Sequence, residues 1–129
     1  MFAATATASA RLLLLGLDPH VASKLVTALP DFHAFVHQEA SLSTSEWDGL
    51  LEEANGDLIF CSAGSPALPQ VLRAGRERAV PVVVVAQDPT EVAWLDAMDA
   101  GAADYIAPPF ERTQLRWVVD TNLRLPYAR

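Results

Sequence analysis

Residues 81–107, PVVVVAQDPTEVAWLDAMDAGAADYIA, contain one complete strand–helix–strand unit. The four consecutive valines are typical of a buried β-strand. Asp88-Pro89 supplies a helix cap followed by a proline suited to a first turn. The next segment, Thr90–Ala100, is predicted as a helix that Gly101 ends, and residues 104–107 return to a short apolar run. A strand, a helix and a second strand in this order predict a βαβ crossover and a parallel sheet.

The same alternation runs through the rest of the chain. Further strands are predicted at residues 11–17, 32–37 and 57–61, and further helices at residues 19–29, 43–54, 67–77 and 113–125. Apolar strands joined by helices of about ten residues are typical of α/β proteins. We therefore predict a three-layer α/β fold with a parallel five-stranded sheet in the flavodoxin-like order 2-1-3-4-5. The domain is expected to span residues 11–125, after a flexible tail at 1–10 and before a short tail at 126–129.

The composition indicates a single acidic domain. The chain has 129 residues, 51% of them hydrophobic, and 9 Lys and Arg against 16 Asp and Glu give a net charge of −7. That charge disfavours direct binding to nucleic acid, which normally requires a basic surface. The single cysteine, Cys61, excludes an internal disulfide and is expected to be a small core residue. Because the apolar runs are too short to span a bilayer as a helix, we expect a cytoplasmic protein that does not enter the membrane.

In a sheet of this kind, binding sites lie beyond the carboxyl ends of the strands, near the reversal of strand order. The serine at this edge, Ser62, lacks the Gly-x-Ser-x-Gly pattern and the later histidine of a hydrolase. No glycine-rich phosphate loop occurs either. A flavodoxin-like cofactor-binding domain or a small enzyme that uses these loops is the alternative, although the loops offer no aromatic residue to stack on a flavin.

Residues 97–110, AMDAGAADYIAPPF, resemble the last third of a bacterial response-regulator receiver domain of the CheY-like kind. That family typically reads Ala-x-x-Ala-Gly-Ala-x-Asp-Tyr-x-x-Lys-Pro-Phe here. The residues that match at the same spacing include Gly101, Ala102, Asp104, Tyr105, Pro109 and Phe110. The resemblance covers residues 11–125, since the other predicted strands fall where the family has its remaining motifs. It implies the receiver fold and a role in two-component signal transduction, the phosphorelay in which such domains act.

The resemblance also implies five functional positions, none of which has the family's residue here. The acidic pair that holds Mg²⁺ corresponds to Gly16 and Leu17, the phosphate-accepting aspartate to Ser62, the hydroxyl residue to Ala86 and the lysine to Pro108. Mg²⁺ requires oxygen ligands, a serine cannot form an acyl phosphate, and proline supplies no cation for a phosphoryl group. We therefore predict a pseudo-receiver that is not phosphorylated on aspartate, has no metal or cofactor, and is not an enzyme.

Such a domain would act through contacts with other proteins. The resemblance implies that the face formed by helix 90–100, strand 104–107 and helix 113–125 mediates dimerisation and docking. The candidate switch and interface residues on this face are Trp94, Tyr105, Phe110, Arg112, Arg116 and Trp117. Expected partners are a second copy of the chain, a fused or separate effector, and a histidine kinase. Residues 126–129 would then begin the linker to a fused effector.

Helical spacing separates these candidates from the predicted core. In helix 90–100 it predicts that Val92, Leu95 and Met98 are buried, and it leaves Trp94 off the buried stripe, as it does Trp117 in the last helix. The arginines of the last helix could pair with aspartates within the protomer or across a two-fold axis. They could equally be solvated charges of the kind found on most helix surfaces.

Overall fold

The sheet and its helices alternate along the chain. A computed structural model describes residues 11–30, 32–37, 49 and 57–124. The strands are β1 (Arg11–Leu15), β2 (His33–His37), β3 (Leu58–Ser62), β4 (Val82–Val85) and β5 (Asp104–Ile106). The described helices are α1 (Pro19–Ala28), α2 (Leu68–Arg78), α3 (Glu91–Asp99) and α4 (Arg112–Arg124). The helix predicted at 43–54 lies outside the described residues except for Gly49, as do the tails predicted at 1–10 and 126–129.

The strands form one parallel sheet in the order β2-β1-β3-β4-β5. The predicted α/β fold with a parallel sheet is therefore confirmed. β1 ends two residues earlier than the apolar run predicted, because Gly16 has a φ of +61° and leaves the extended conformation. Glycine adopts this left-handed conformation without the steric penalty of a side chain.

Local side-chain contacts explain where two helices begin. Asp18 caps α1 as predicted, since its Oδ1 accepts a hydrogen bond of 2.8 Å from the backbone N–H of His20. For α3 the predicted cap, Asp88, is wrong. Thr90 has extended backbone angles and its Oγ1 accepts from the N–H of Ala93 at 3.0 Å, so the helix begins at Glu91. No helix among the described residues is both long and apolar enough to cross a membrane.

Helices cover both faces of the sheet and give two hydrophobic clusters. On one face, α1 and α4 pack on alternate sheet residues, and the side chains that meet include Leu12, Leu14, Phe60, Leu25, Leu115 and Val119. On the other face, α2 and α3 pack on the intervening residues, and the cluster includes Leu13, Leu15, Ile59, Val84, Val71, Leu72 and Ala97. We call these the α1–α4 layer and the α2–α3 layer. Strands buried on both faces account for the continuous apolar runs of the sequence.

The orientation of α3 differs from the prediction. Val92 is 68% exposed and Leu95 46% exposed, whereas Ala97 is the buried residue of this helix. Met98, the third residue of the predicted stripe, is only partly buried against the α2–α3 layer. Apolar residues occur on more than one side of α3, so its hydrophobic periodicity alone fits either orientation. The side with the smaller residue faces the sheet, which lets the helix backbone lie close to it.

Candidate functional site

The carboxyl ends of three adjacent strands meet at one edge of the sheet. Leu15 pairs with Cys61 across β1 and β3, and Ser62 pairs with Val85 across β3 and β4. The segments that begin at Gly16, Ser62 and Ala86 therefore leave the sheet side by side. This is the region in which a parallel α/β sheet normally binds its ligand.

Serine side chains fill the centre of this edge. A Cβ atom built on Gly16 would lie 3.1 Å from Oγ of Ser65, so the loop after β3 packs directly against the loop after β1. The Ser65 hydroxyl accepts a hydrogen bond from the N–H of Ala67 at 3.2 Å, and the Ser62 hydroxyl accepts one from the N–H of Gly64 at 3.3 Å. Both hydroxyls therefore stabilise the local turns of this loop.

The first loop has no carboxylate directed at a metal. Leu17 is 3% exposed and belongs to the α1–α4 layer, so this position supplies a core side chain. The carboxylate of Asp18 is engaged as the cap of α1. The described residues contain no group of three or more His, Cys, Asp or Glu that could hold a metal ion. Since Mg²⁺ is held by several oxygen ligands, the residues at this edge do not fit it.

The strand ends on the other side of Ser62 carry Ala86 and Pro108. Ala86 is 4% exposed, and its backbone N–H donates a hydrogen bond of 2.9 Å to the carbonyl of Ile106. Pro108 is exposed and joined to Pro109 by a cis peptide bond. A methyl group and a proline ring provide neither the hydroxyl nor the cation that would pair with phosphate.

Cys61 lies next to this edge but is a core residue. Its side chain is fully buried in the α2–α3 layer, which confirms the prediction from sequence. Burial raises the pKa of the thiol from 9.0 to about 12, and hydrogen bonds with the Ser65 side chain and the Ser62 backbone lower it by smaller amounts. The thiolate is the reactive form of cysteine, so this thiol is unsuited to nucleophilic chemistry in the folded protein.

The predicted aromatic candidates fall into two groups by exposure. Trp94 on α3 is 44% exposed and Trp117 on α4 is 63% exposed. Tyr105 is half-buried against the α2–α3 layer, and Phe110 packs against the other layer. A groove of about 330 Å³ beside β5 brings Tyr105, Phe110 and Trp117 together.

The two arginine candidates, Arg112 and Arg116, lie on a different side of α4 from Trp117. The guanidinium of Arg116 is 5.4 Å from the ring centroid of Phe32, which packs with the α1–α4 layer. Arg112 lines a groove with Lys24 of α1. Trp117, by contrast, lines the groove beside β5. The structure therefore does not bring the arginines together with Trp117.

Sequence reasoning missed two features of this region. It did not assign Ser65 the place opposite Gly16, and a glycine directly after a strand was the available signal for a close approach. It also placed Val92 and Leu95 in the core. The acidic residues that flank them on α3 were the signal that this side faces solvent.

Comparisons with known proteins agree with this architecture. No protein-family model and no curated protein sequence matches the chain. Solved structures do match it. A CheY-like protein, tadZ from Pseudomonas aeruginosa PAO1, superposes with a TM-score of 0.75 at 21% identity, over 88% of this chain and 98% of that one. The receiver domain of the Francisella response regulator 1452 gives 0.70 at 19% identity, over 90% and 98%.

A third match is to a longer protein. NtrX from Brucella abortus superposes with a TM-score of 0.76 at 16% identity, and the match covers 93% of this chain. The same match covers 27% of the NtrX chain, so this chain spans about a quarter of that protein's length. Together with the parallel sheet and its helical layers, these superpositions show that the chain has the fold of response-regulator receiver domains.

Proposed function

We propose that the chain is a receiver-like signalling domain of a bacterial response regulator that is not phosphorylated on aspartate. The observation that carries this proposal is the edge of the sheet where the strands end. Leu17 is buried there as a core side chain, and Ser65 occupies the space opposite Gly16. The fold of a receiver is present, while the groups that would bind a metal ion and a phosphoryl group are replaced.

The residues at these positions lack the groups needed for metal binding, for accepting the phosphoryl group and for binding its oxygens. With Gly16 and Leu17 after β1, no carboxylate pair neutralises the incoming phosphate through Mg²⁺. Ser62 offers a hydroxyl, from which an acyl phosphate cannot form. Ala86 and Pro108 leave the phosphoryl oxygens without a hydroxyl or a cation to pair with. We therefore propose that this domain signals without this chemistry.

The test is exposure of the labelled protein to beryllofluoride or acetyl phosphate with Mg²⁺. We expect its ¹H–¹⁵N NMR spectrum to stay unchanged relative to Mg²⁺ alone. A receiver with an intact site, treated in parallel, serves as the positive control for the reagents. Saturable shifts of resonances around Ser62 would contradict the proposal.

We further propose that the domain works in the cytoplasm by protein–protein contact. Two large apolar side chains, Trp94 on α3 and Trp117 on α4, are exposed, and aromatic residues of this kind are enriched where proteins bind one another. Arg112 lies beside Lys24 of α1 and Arg116 lies over Phe32, so both are left out of this surface. The partners proposed are a second copy, a fused or separate effector, and a histidine kinase. That NtrX is longer than its matched part supports the fused arrangement.

A contact of this kind is open to a direct measurement. Trp94→Ala is expected to weaken self-association in analytical ultracentrifugation, because it removes the largest exposed side chain of α3. Val26→Ala, which removes a 38% exposed side chain from α1 in the other layer, is the matched control. Equal association of the two variants would contradict a contact through Trp94.

A further inference from the structure

Two neighbouring helices carry opposite charge. α3 contains Glu91, Asp96 and Asp99 and no lysine or arginine, and all three carboxylates are exposed. α2 contains Arg73, Arg76 and Arg78 with a single acid, Glu77, and these side chains are exposed too. Both helices pack on the same face of the sheet, so the α2–α3 layer presents a basic ridge beside an acidic one.

The acidic ridge also exposes apolar side chains. Val92 is 68% and Leu95 46% exposed, on the side of α3 opposite the buried Ala97. Residues three apart on a helix lie on one side, so these two side chains form a continuous apolar strip. A neighbouring molecule that covered this strip would gain hydrophobic free energy as well as favourable charge contacts.

Two arginines of α4, Arg112 and Arg116, contact residues of the other layer. Arg116 stacks on Phe32, and Arg112 lines the groove with Lys24, so both belong to the α1–α4 layer. Among the described residues, the basic side chains on the same side of the sheet as α3 are those of α2. The basic surface that complements α3 is therefore α2 of another copy.

A two-fold axis allows α2 and α3 of one copy to contact the oppositely charged helices of a second copy at the same time. α2 and α3 each follow a strand of a parallel sheet, so they run in the same direction. A two-fold axis between them, along that direction, places α2 of each copy against α3 of the other. Such a contact is self-complementary, as a closed dimer requires.

We infer that a second copy of this chain docks on the α2–α3 layer, with Arg73 and Arg76 of one copy against Asp96 and Asp99 of the other. The two arginines are three residues apart, which is about 4.5 Å along the helix axis, and the two aspartates have the same spacing. In the register that pairs them, Val92 lies opposite Pro69, which is exposed at the start of α2. This inference rests on the proposed function, since it names the partner and the face of the protein contact.

Charge reversal on each helix tests the pairing. The variant Arg73→Glu/Arg76→Glu and the variant Asp96→Arg/Asp99→Arg should each self-associate about tenfold more weakly than the original chain or worse, because like charges then face each other. An equimolar mixture of the two variants should associate again, since both contacts of the mixed dimer are complementary. Sedimentation velocity and native mass spectrometry measure both outcomes. Added salt should weaken the original contact by screening.

Two controls separate this face from others. Lys24→Glu/Arg112→Glu makes the same change of net charge as the arginine variant, but on the α1–α4 layer, and should leave self-association unchanged. Val26→Ala should also leave it unchanged, because Val26 lies on α1 in the α1–α4 layer.

The outcomes distinguish the inference from the proposed function. A chain that is monomeric at all concentrations, or a mixture that fails to restore association, overturns the α2–α3 pairing. Loss of association with Trp117→Ala but not with charge reversal overturns it as well, and places the dimer across β5 and α4. None of these results bears on the proposed absence of aspartyl phosphorylation, which the spectra with beryllofluoride test separately.

Discussion

Cys61 makes the stability of this protein depend on pH in the alkaline range. Burial raises the pKa of its thiol from 9.0 to about 12 in the folded state. Above pH 9 the unfolded chain releases this proton while the folded chain keeps it. The free energy of unfolding should then fall by at most about 1.4 kcal/mol for each pH unit up to about pH 12, and be unaffected by this group below pH 9.

The measurement is urea unfolding at a series of pH values with and without the thiol. Cys61→Ala removes the group and leaves a small cavity, so its stability is lower below pH 9, but its decline above pH 9 should be shallower. Groups that titrate in both proteins cancel in the comparison. Parallel curves for the two proteins would show that the thiol is not shielded in the folded state.

Tyr105 is a second residue whose side chain should have a measurable effect on stability. Among the described residues, its hydroxyl oxygen is buried without a hydrogen-bond partner. Burying an unpaired polar group costs on the order of 1–3 kcal/mol. Tyr105→Phe keeps the ring and removes this cost, so we expect stability to rise by about 1 kcal/mol in urea unfolding. A loss of stability would show that the hydroxyl is paired in solution.

At the scale of elements, the contact between α2 and β4 depends on Gly75. A Cβ atom at this position would lie 2.6 Å from Cγ2 of Val82 and 2.8 Å from the carbonyl oxygen of Val80. Gly75→Ala should therefore lower stability by about 1–3 kcal/mol, despite the better helix propensity of alanine.

A matched change is available at Gly49, which is also helical. A Cβ atom built there meets nothing within 4 Å. Gly49→Ala should be neutral or stabilise by about 0.5–1 kcal/mol, because only the backbone entropy term applies. Thermal unfolding of both variants measures the difference. An equal effect at the two glycines would exclude the close approach of α2 to the sheet.

The types of these elements were predictable from sequence, whereas hydrophobic periodicity did not give the rotation of α3. β4 follows from its run of valines and α1 from Asp18-Pro19, since both signals are local. The exposure of Val92 and Leu95 on α3 is decided by packing instead. With apolar residues on more than one side, periodicity alone does not choose the side that faces the sheet.

At the scale of the whole molecule, some features of the candidate site follow from local sequence signals, and others are decided by packing. The family that the sequence resembles has its functional groups at strand ends, so Gly16 and Ser62 could be assigned to those positions once the strands were predicted. The position of Ser65 against Gly16 depends on how two distant loops pack. The neighbours that Arg116 and Trp117 each contact depend on the rotation of α4, which its buried residues set.

Because the site is assembled from several strand ends, restoring one residue should not restore its chemistry. Ser62→Asp places a carboxylate at the end of β3, where the side chain is only half-buried, so the variant should fold. That carboxylate would still have a buried Leu17, the Ala86 methyl group and the Pro108 ring as neighbours. These groups offer no oxygen ligand for Mg²⁺ and no cation for phosphate.

We therefore expect Ser62→Asp to remain unmodified by acetyl phosphate and Mg²⁺, as judged by intact mass spectrometry. Circular dichroism establishes that the variant is folded, and its melting temperature should be the same with and without Mg²⁺. The gain of one phosphoryl group would mean that a single carboxylate at β3 is sufficient. In that case the residues at the neighbouring strand ends would not limit phosphorylation, and Ser62 alone would distinguish this edge from one that accepts a phosphoryl group.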